Sequence, residues 1–142
     1  MAVSERTLSE FLQHSGEVLP DLLEGEVLLH RRSGEDLVLL TKKQRDALQL
    51  TLHAFLRAAH GGTGEVSHAI PWFGFLSGSD QEACLDELRS VALGALESGR
   101  LAQLVETLYS WRATALAVWD ERQRRRRSGD DVDEPLALPR PR

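Results

Sequence analysis

The side chains in this chain that could do chemistry are few and poorly arranged for catalysis. The five histidines, His14, His30, His53, His60 and His68, include no H-E-x-x-H and no i,i+4 pair with a third ligand, the spacing a metal site needs. They are expected to be solvated or locally hydrogen-bonded. The single Cys84 excludes an internal disulfide framework and a cysteine-rich metal centre. In a predicted helix it is expected to act as a small buried apolar group. G-x-S-x-G, a phosphate-cradling P-loop and a dinucleotide fingerprint are all missing. The carboxylates are scattered along predicted helix surfaces, so no acid/base pair stands out. The expectation is a protein that is not an enzyme and uses no cofactor.

Arginine and lysine clusters remain. Arg31 and Arg32 sit at the tip of a predicted hairpin, with Lys42, Lys43 and Arg45 just after its second strand. Arg122 and the run Arg124–Arg127 form a second group. The guanidinium fork donates in parallel and suits phosphate. Against this stand plainer roles. Arg31 and Arg32 could be a solvated turn, and the Arg124–Arg127 run a solvated helix end. That run suits the negative end of a helix dipole and is followed by the acidic DDVDE. Residues 1–60 carry seven Lys/Arg against nine Asp/Glu, so this half is not basic overall.

The bulk composition bounds the scaffold. A chain of 142 residues with 42% hydrophobic residues makes one domain, or one small domain with an appended element. With 6% aromatics its core is mainly Leu, Val and Ala. A net charge of −5 argues against coating nucleic acid by bulk charge but leaves room for a local basic patch. No basic-then-apolar leader is visible, and no apolar run approaches the roughly 18 residues of a membrane span. A soluble, cytoplasmic protein without membrane contact is expected.

The elements that position the basic groups follow from pattern. Val3, Thr7 and Leu8 suggest a brief strand. A helix is expected over 11–25 with Phe11, Leu12, Leu19, Leu22 and Leu23 as its apolar positions, kinked at Pro20 and capped by Gly25. EVLLH (26–30) and DLVLLT (36–41) read as a hairpin turned by Ser33-Gly34. Its nearly continuous apolar character calls for cover by helices on one face and in part by a partner. Thr41-x-x-Gln44 is a capping box opening a helix with Ala47, Leu48, Leu52, Phe55, Leu56 and Ala59 as its periodic set, stopped by GGTG (61–64). The apolar IPWFGFL (70–76) is expected to dock against a helix or a partner. Ser79 is expected to cap a helix with Leu85, Leu88, Val91, Ala92, Ala95 and Leu96 inward. Gly99 ends it, and the next helix shows Leu101, Leu104, Val105, Leu108, Trp111, Ala115, Leu116 and Trp119, making a helical hairpin. The proline-punctuated end of the chain is expected to be disordered.

The stretch LSEFLQHSGEVLPDLLEGEVLLHRRSGEDLVLLTKKQRDAL (8–48) resembles the N-terminal domain of Phd/YefM-type antitoxins of bacterial toxin–antitoxin pairs. The likeness rests on S-G-E-V-L (15–19) after a short strand, E-G (24–25) closing the helix, V-L-L-H-R-R-S-G-E (27–35) with Arg before the turn, and L-V-L-L-T leading into a helix. It covers about a third of the chain. The resemblance implies a dimeric DNA-binding module that represses its own operon, with a C-terminal extension that neutralises a cognate toxin. By position Arg31 matches the family's hairpin arginine, His14 stands where relatives often carry a base, and Arg6 lies close to the DNA-facing edge.

The expected architecture is therefore α+β. Residues 1–60 form a β-α-β-β-α Phd/YefM-like dimerisation and DNA-binding domain, 61–78 an apolar-containing linker, 79–127 a helical hairpin that binds the toxin, and 128–142 a disordered tail. Expected DNA contacts are Arg6, His14, Arg31, Arg32, Lys42 and Lys43. Expected partner contacts are Trp72, Phe73, Phe75, Trp111 and Trp119, although packing within the chain's own core is the stronger expectation for such aromatic and apolar stripes. Expected partners are a second copy, the toxin and operator DNA. The alternative, which the acidic balance favours, is a protein-interaction module without DNA binding, or an orphan regulator of the same fold.

Overall fold

The structure is a computed structural model that describes residues 4–129. It is mixed α and β, mostly helical, with one small three-stranded sheet. Strand β1 is Ser4–Thr7. Helices α1 (Leu8–Gln13) and α2 (Ser15–Val18) and a 3₁₀ turn (Leu19–Leu23) lead to β2 (Val27–His30) and β3 (Leu37–Leu39). Helix α3 (Lys42–Gly61) follows, then two 3₁₀ turns (Thr63–His68 and Pro71–Phe75), α4 (Gly78–Ser98) and α5 (Ala102–Ser128). Val3, in the expected first strand, and all of the expected tail after Gly129 lie outside the described residues.

Two compact units are present. The first takes the chain up to Gln49 together with Leu88–Thr107; the second takes Leu50–Glu87 together with the chain from Leu108 onward.

In the first unit the sheet order is β1-β2-β3. β2 pairs parallel with β1, from Ser4 opposite Val27 to Thr7 opposite His30, and antiparallel with β3, Leu28 opposite Val38. The parallel pair exists because α1, α2 and the 3₁₀ turn supply the long crossover that such a connection requires. Central β2 alternates: Val27 and Leu29 are buried, and they cluster with Val18 and Leu22, against which Leu8, Phe11 and Leu39 pack. Edge strand β3 leaves Leu37 and Val38 exposed.

The single helix expected over 11–25 is instead three short pieces. His14, at φ −136°, breaks the first, and Pro20 opens the 3₁₀ turn because its ring fixes φ and needs no N–H partner there. As a result Leu12, Leu19 and Leu23 are exposed rather than inward. Gly25 is not a left-handed cap: it has no positive φ and is buried at the approach to β2.

The capping box at α3 forms as expected. Gln44 N–H donates to Thr41 Oγ1 and Thr41 N–H donates to Gln44 Oε1, each at 3.1 Å. The Gln44 amide nitrogen also donates to the Leu22 carbonyl, joining the helix start to the 3₁₀ turn. The buried positions of α3 are Gln44, Ala47, Thr51 and Ala54, spaced as one helical face. Of the expected apolar set only Ala47 is buried, while Leu52 and Leu56 are exposed. Gly62, at φ 77°, ends the helix by donating its N–H to the Ala58 carbonyl at 2.8 Å.

In the second unit IPWFGFL forms the core: Ile70, Phe73, Phe75 and Leu76 are essentially inaccessible, with Val66, Cys84, Leu85, Leu108 and Ala115 also buried. The Trp119 ring stacks on Phe75 with centroids 4.8 Å apart and planes 25° apart. The cap of α4 is Ser77, not Ser79: its Oγ accepts from Asp80 N–H at 3.2 Å. The helix starts at Gly78, and Ser77 stands just before it, where a hydroxyl reaches the N3 amide. Trp111 Nε1 donates to Glu87 Oε2 at 2.8 Å. These two residues stand equally far from Gly99, whose φ of 74° makes the turn between α4 and α5. On α4 Leu96 is exposed and Cys84 joins the buried face instead.

Candidate functional site

The register that pairs Thr7 with His30 brings the C-terminal ends of β1 and β2 side by side. From there the chain turns into α1 on one side and into Arg31-Arg32-Ser33-Gly34 on the other. Between them lies an open pocket of about 500 Å³ lined by Thr7, Leu8, Ser9, His30, Arg31, Arg32 and Ser33. Hydroxyl, imidazole and guanidinium groups therefore border one concavity at the carboxyl ends of two parallel strands.

The turn is built to display Arg31. Gly34 adopts φ 98°, the left-handed region that glycine takes without strain. A Cβ at Gly34 would stand 2.8 Å from Arg31 Nη1, so the guanidinium lies against the glycine backbone. Asp36 closes the base of the turn. Its Oδ1 accepts from Arg31 N–H at 3.4 Å and its Oδ2 meets His30 Nδ1 at 3.0 Å. His30 Nε2 reaches Glu5 Oε2 of β1 at 3.4 Å. The imidazolium is favoured: hydrogen bonding to Glu5 raises its pKa most, partial burial opposes this, and Asp36 adds to it.

The six expected DNA contacts separate into three groups: Arg6 and Lys42 in ion pairs, Arg31 and Arg32 in the pocket, and His14 and Lys43, which do not line it. Arg6 donates from Nε to Asp21 Oδ2 at 3.1 Å and reaches Glu10 at 3.5 Å, so it is already held by carboxylates. Lys42 pairs with Asp46, which also takes Arg45 at 3.0 Å. Lys43 is exposed. Arg31 and Arg32 are exposed, and among the described residues neither guanidinium has a carboxylate partner. His14 is exposed at the break between α1 and α2 and does not line the pocket. The structure thus brings Arg31 and Arg32 together with Thr7, Ser9, His30 and Ser33, and assigns Arg6 and Lys42 to ion pairs.

Of the pocket's residues, sequence reasoning placed only Arg31 and Arg32 in the site; Thr7, Ser9, His30 and Ser33 were not included, nor were Glu5 and Asp36, which hold His30. The T-x-x-E pattern at Thr7–Glu10 was a usable signal: Thr7 Oγ1 accepts from Glu10 N–H at 3.1 Å and fixes the start of α1 beside the pocket.

The aromatic group also separates. Phe73 and Phe75 are buried in the core of the second unit. Trp72, Trp111 and Trp119 are half-buried, Trp111 being held by Glu87 and Trp119 by Phe75. Cys84 is buried, and burial together with the Glu87 charge pushes its thiol up to about 12. It is therefore an unreactive packing group.

Among the described residues no set of three or more His, Cys, Asp or Glu side chains could hold a metal ion, and no helix is long and apolar enough to cross a membrane. No protein-family model, curated protein or solved structure matches the chain.

Proposed function

We propose that the chain is the antitoxin of a toxin–antitoxin pair, a DNA-binding repressor that also occludes a partner protein. The observation that carries this reading is the pair of consecutive exposed arginines, Arg31 and Arg32, lining one pocket, with neither guanidinium in an ion pair among the described residues. A phosphate there would accept from a bidentate fork and from the Ser9 and Ser33 hydroxyls, the Thr7 hydroxyl being already given to Glu10 Oε1 at 3.3 Å. The succession of strand, helices, two strands and helix supports the Phd/YefM-like reading of residues 1–60. Leu37 and Val38, exposed on an edge strand, support a second copy as cover, since an uncovered apolar strand edge is a ready surface for pairing. Such a dimer would present two hairpin tips to half-sites about 34–36 Å apart.

In this reading the toxin is gripped by the helical region. Trp72, Tyr109, Trp111 and Trp119 are among its partly or wholly accessible aromatics, and aromatic anchors dominate protein interfaces.

The test is a titration against the DNA upstream of its own gene at two salt concentrations, with and without the product of the adjacent gene. Retardation at low salt is expected, and Arg31→Gln with Arg32→Gln should reduce the salt slope by roughly one per arginine. No retardation under any of these conditions defeats the repressor reading. It would favour the protein-interaction module, for which the specific observation is that Arg6, Lys42 and Arg45 already meet carboxylates. The antitoxin role is tested by expressing the neighbouring reading frame, which should halt growth unless this chain is present.

A further inference from the structure

Helix α5 is longer than its packing requires. It runs for 27 residues, yet Ala115 is its last buried position, and from Arg124 to Ser128 every residue is exposed. The helix persists because arginine is a good helix former and because positive charge complements the carboxyl end of the dipole. Glu121 also reaches Arg124 at 2.7 Å and Arg125 at 3.6 Å, the spacing that supports a helix.

These local terms do not account for the whole cluster. Arg122 lies well before the last turn, beyond the reach of a terminal dipole effect. Arg122, Arg126 and Arg127 have no carboxylate partner among the described residues. Like charges meet at Arg122–Arg125, Arg122–Arg126 and Arg124–Arg127, each an i,i+3 or i,i+4 repulsion. At about 100° per residue, these five arginines encircle the helix with no gap wider than about 100°.

We propose that the last two turns of α5 are a second nucleic-acid contact, one that enters the major groove of duplex DNA. A flat acidic protein face would meet Arg122, Arg126 and Arg127, which span about 140° of the helix, but not Arg124 and Arg125. Those two share the one exposed carboxylate of Glu121, a surface pairing weak enough to exchange for phosphate. The B-form major groove, about 12 Å wide, admits a helix and presents phosphates on both walls. An A-form RNA duplex has a major groove too deep and narrow for the same approach. The part of this contact made to phosphates is independent of sequence, so it is read on duplex of any sequence. It is separate from the hairpin site and succeeds or fails independently of it.

The experiment uses the full chain carrying Arg31→Gln and Arg32→Gln, so that the hairpin contributes nothing to either outcome. Fluorescence anisotropy follows binding to a random-sequence DNA duplex over a salt series. The parent should bind with a clear salt slope, and adding Arg122→Gln, Arg126→Gln and Arg127→Gln should lower that slope by about 2–3, close to 0.9 for each phosphate that is no longer neutralised. The corresponding lysine variant should keep it, and an RNA duplex should bind more weakly. All three positions lie outside the core, and matching circular dichroism melts check that the fold is intact. An unchanged slope in the glutamine variant overturns the proposal, and is the result expected if Asp130, Asp131, Asp133 and Glu134 hold these arginines instead.

Discussion

Arg6 Nε and Asp21 Oδ2 stand 3.1 Å apart, and Ser4 Oγ donates to the same oxygen at 2.8 Å. The basic side chain on β1 is thereby tied to the 3₁₀ turn of the crossover rather than presented to a ligand. Arg6→Gln should accordingly leave the DNA salt slope unchanged while lowering the midpoint of thermal unfolding. The Ser4 hydroxyl holds the Asp21 carboxyl below its usual range, desolvation opposes this, and Arg6 adds to the lowering. A depressed folded-state pKa gives stability that is present above the unfolded value of 3.8 and lost as pH falls through the folded value. Denaturant titrations of the parent and Asp21→Asn should differ at neutral pH and converge in acid.

His30 gives the opposite sign. Its pKa is raised above 6.5 by Glu5 first and then by Asp36, so its contribution is fully present below 6.5 and is lost as pH rises through the folded value. His30→Gln should be less stable than the parent at mildly acidic pH and equal to it at alkaline pH. The same titration places the positive charge beside the Arg31–Arg32 pocket, so DNA affinity should fall over the same interval. Imidazole NMR shifts against pH check both statements.

Gln44 ties the start of α3 together through three bonds: its Oε1 accepts from Thr41 N–H, its backbone N–H donates to Thr41 Oγ1, and its side-chain amide donates to the Leu22 carbonyl. Gln44→Ala removes the two side-chain bonds and leaves a carbonyl without its donor in the first unit. A loss of about 1–3 kcal/mol is expected in denaturant unfolding. Gln44→Glu keeps the bond to Thr41 N–H but cannot donate to Leu22, so it should be less stable than the parent as well.

Core and partner roles of the aromatics are separable by stability alone. Phe73→Ala should cost about 3–5 kcal/mol, because the ring is fully inaccessible. Trp72→Ala, half-buried next to it, should cost clearly less and yet weaken capture of the adjacent gene product. If the two variants lose equal stability, Trp72 belongs to the core and not to an interface.

Gly34→Ala tests the display of Arg31. It forces a side chain into φ 98° and places Cβ where the guanidinium lies. The turn is exposed, so the guanidinium moves aside and the strain stays local, about 1 kcal/mol. DNA affinity should drop toward that of Arg31→Gln, with the fold retained.

Local chemistry made much of this molecule legible from residue order. The Thr41–Gln44 box, the glycines at 34, 62 and 99, and the hairpin apolar runs each act over a few residues, and each is found in its expected place. The interruption at Pro20 was visible for the same reason, though its consequence was larger than a kink. The exposed basic end of α5 likewise follows from arginine content and helix propensity.

Other features depended on what each element meets. Helical periodicity finds every apolar residue on a face but cannot say which face turns inward. On α3 the set Gln44, Ala47, Thr51 and Ala54 took the interior and left Leu52 and Leu56 outside, with the Gln44 amide fixed by the Leu22 carbonyl. Whether an arginine is available depends on carboxylates distant in sequence. Asp21 occupies Arg6 across the crossover, while no carboxylate among the described residues reaches the Arg31 or Arg32 guanidinium. The parallel register of β1 and β2 has no local signature, since it is set by how the crossover packs. That register alone brings Thr7 to His30 and so creates the pocket.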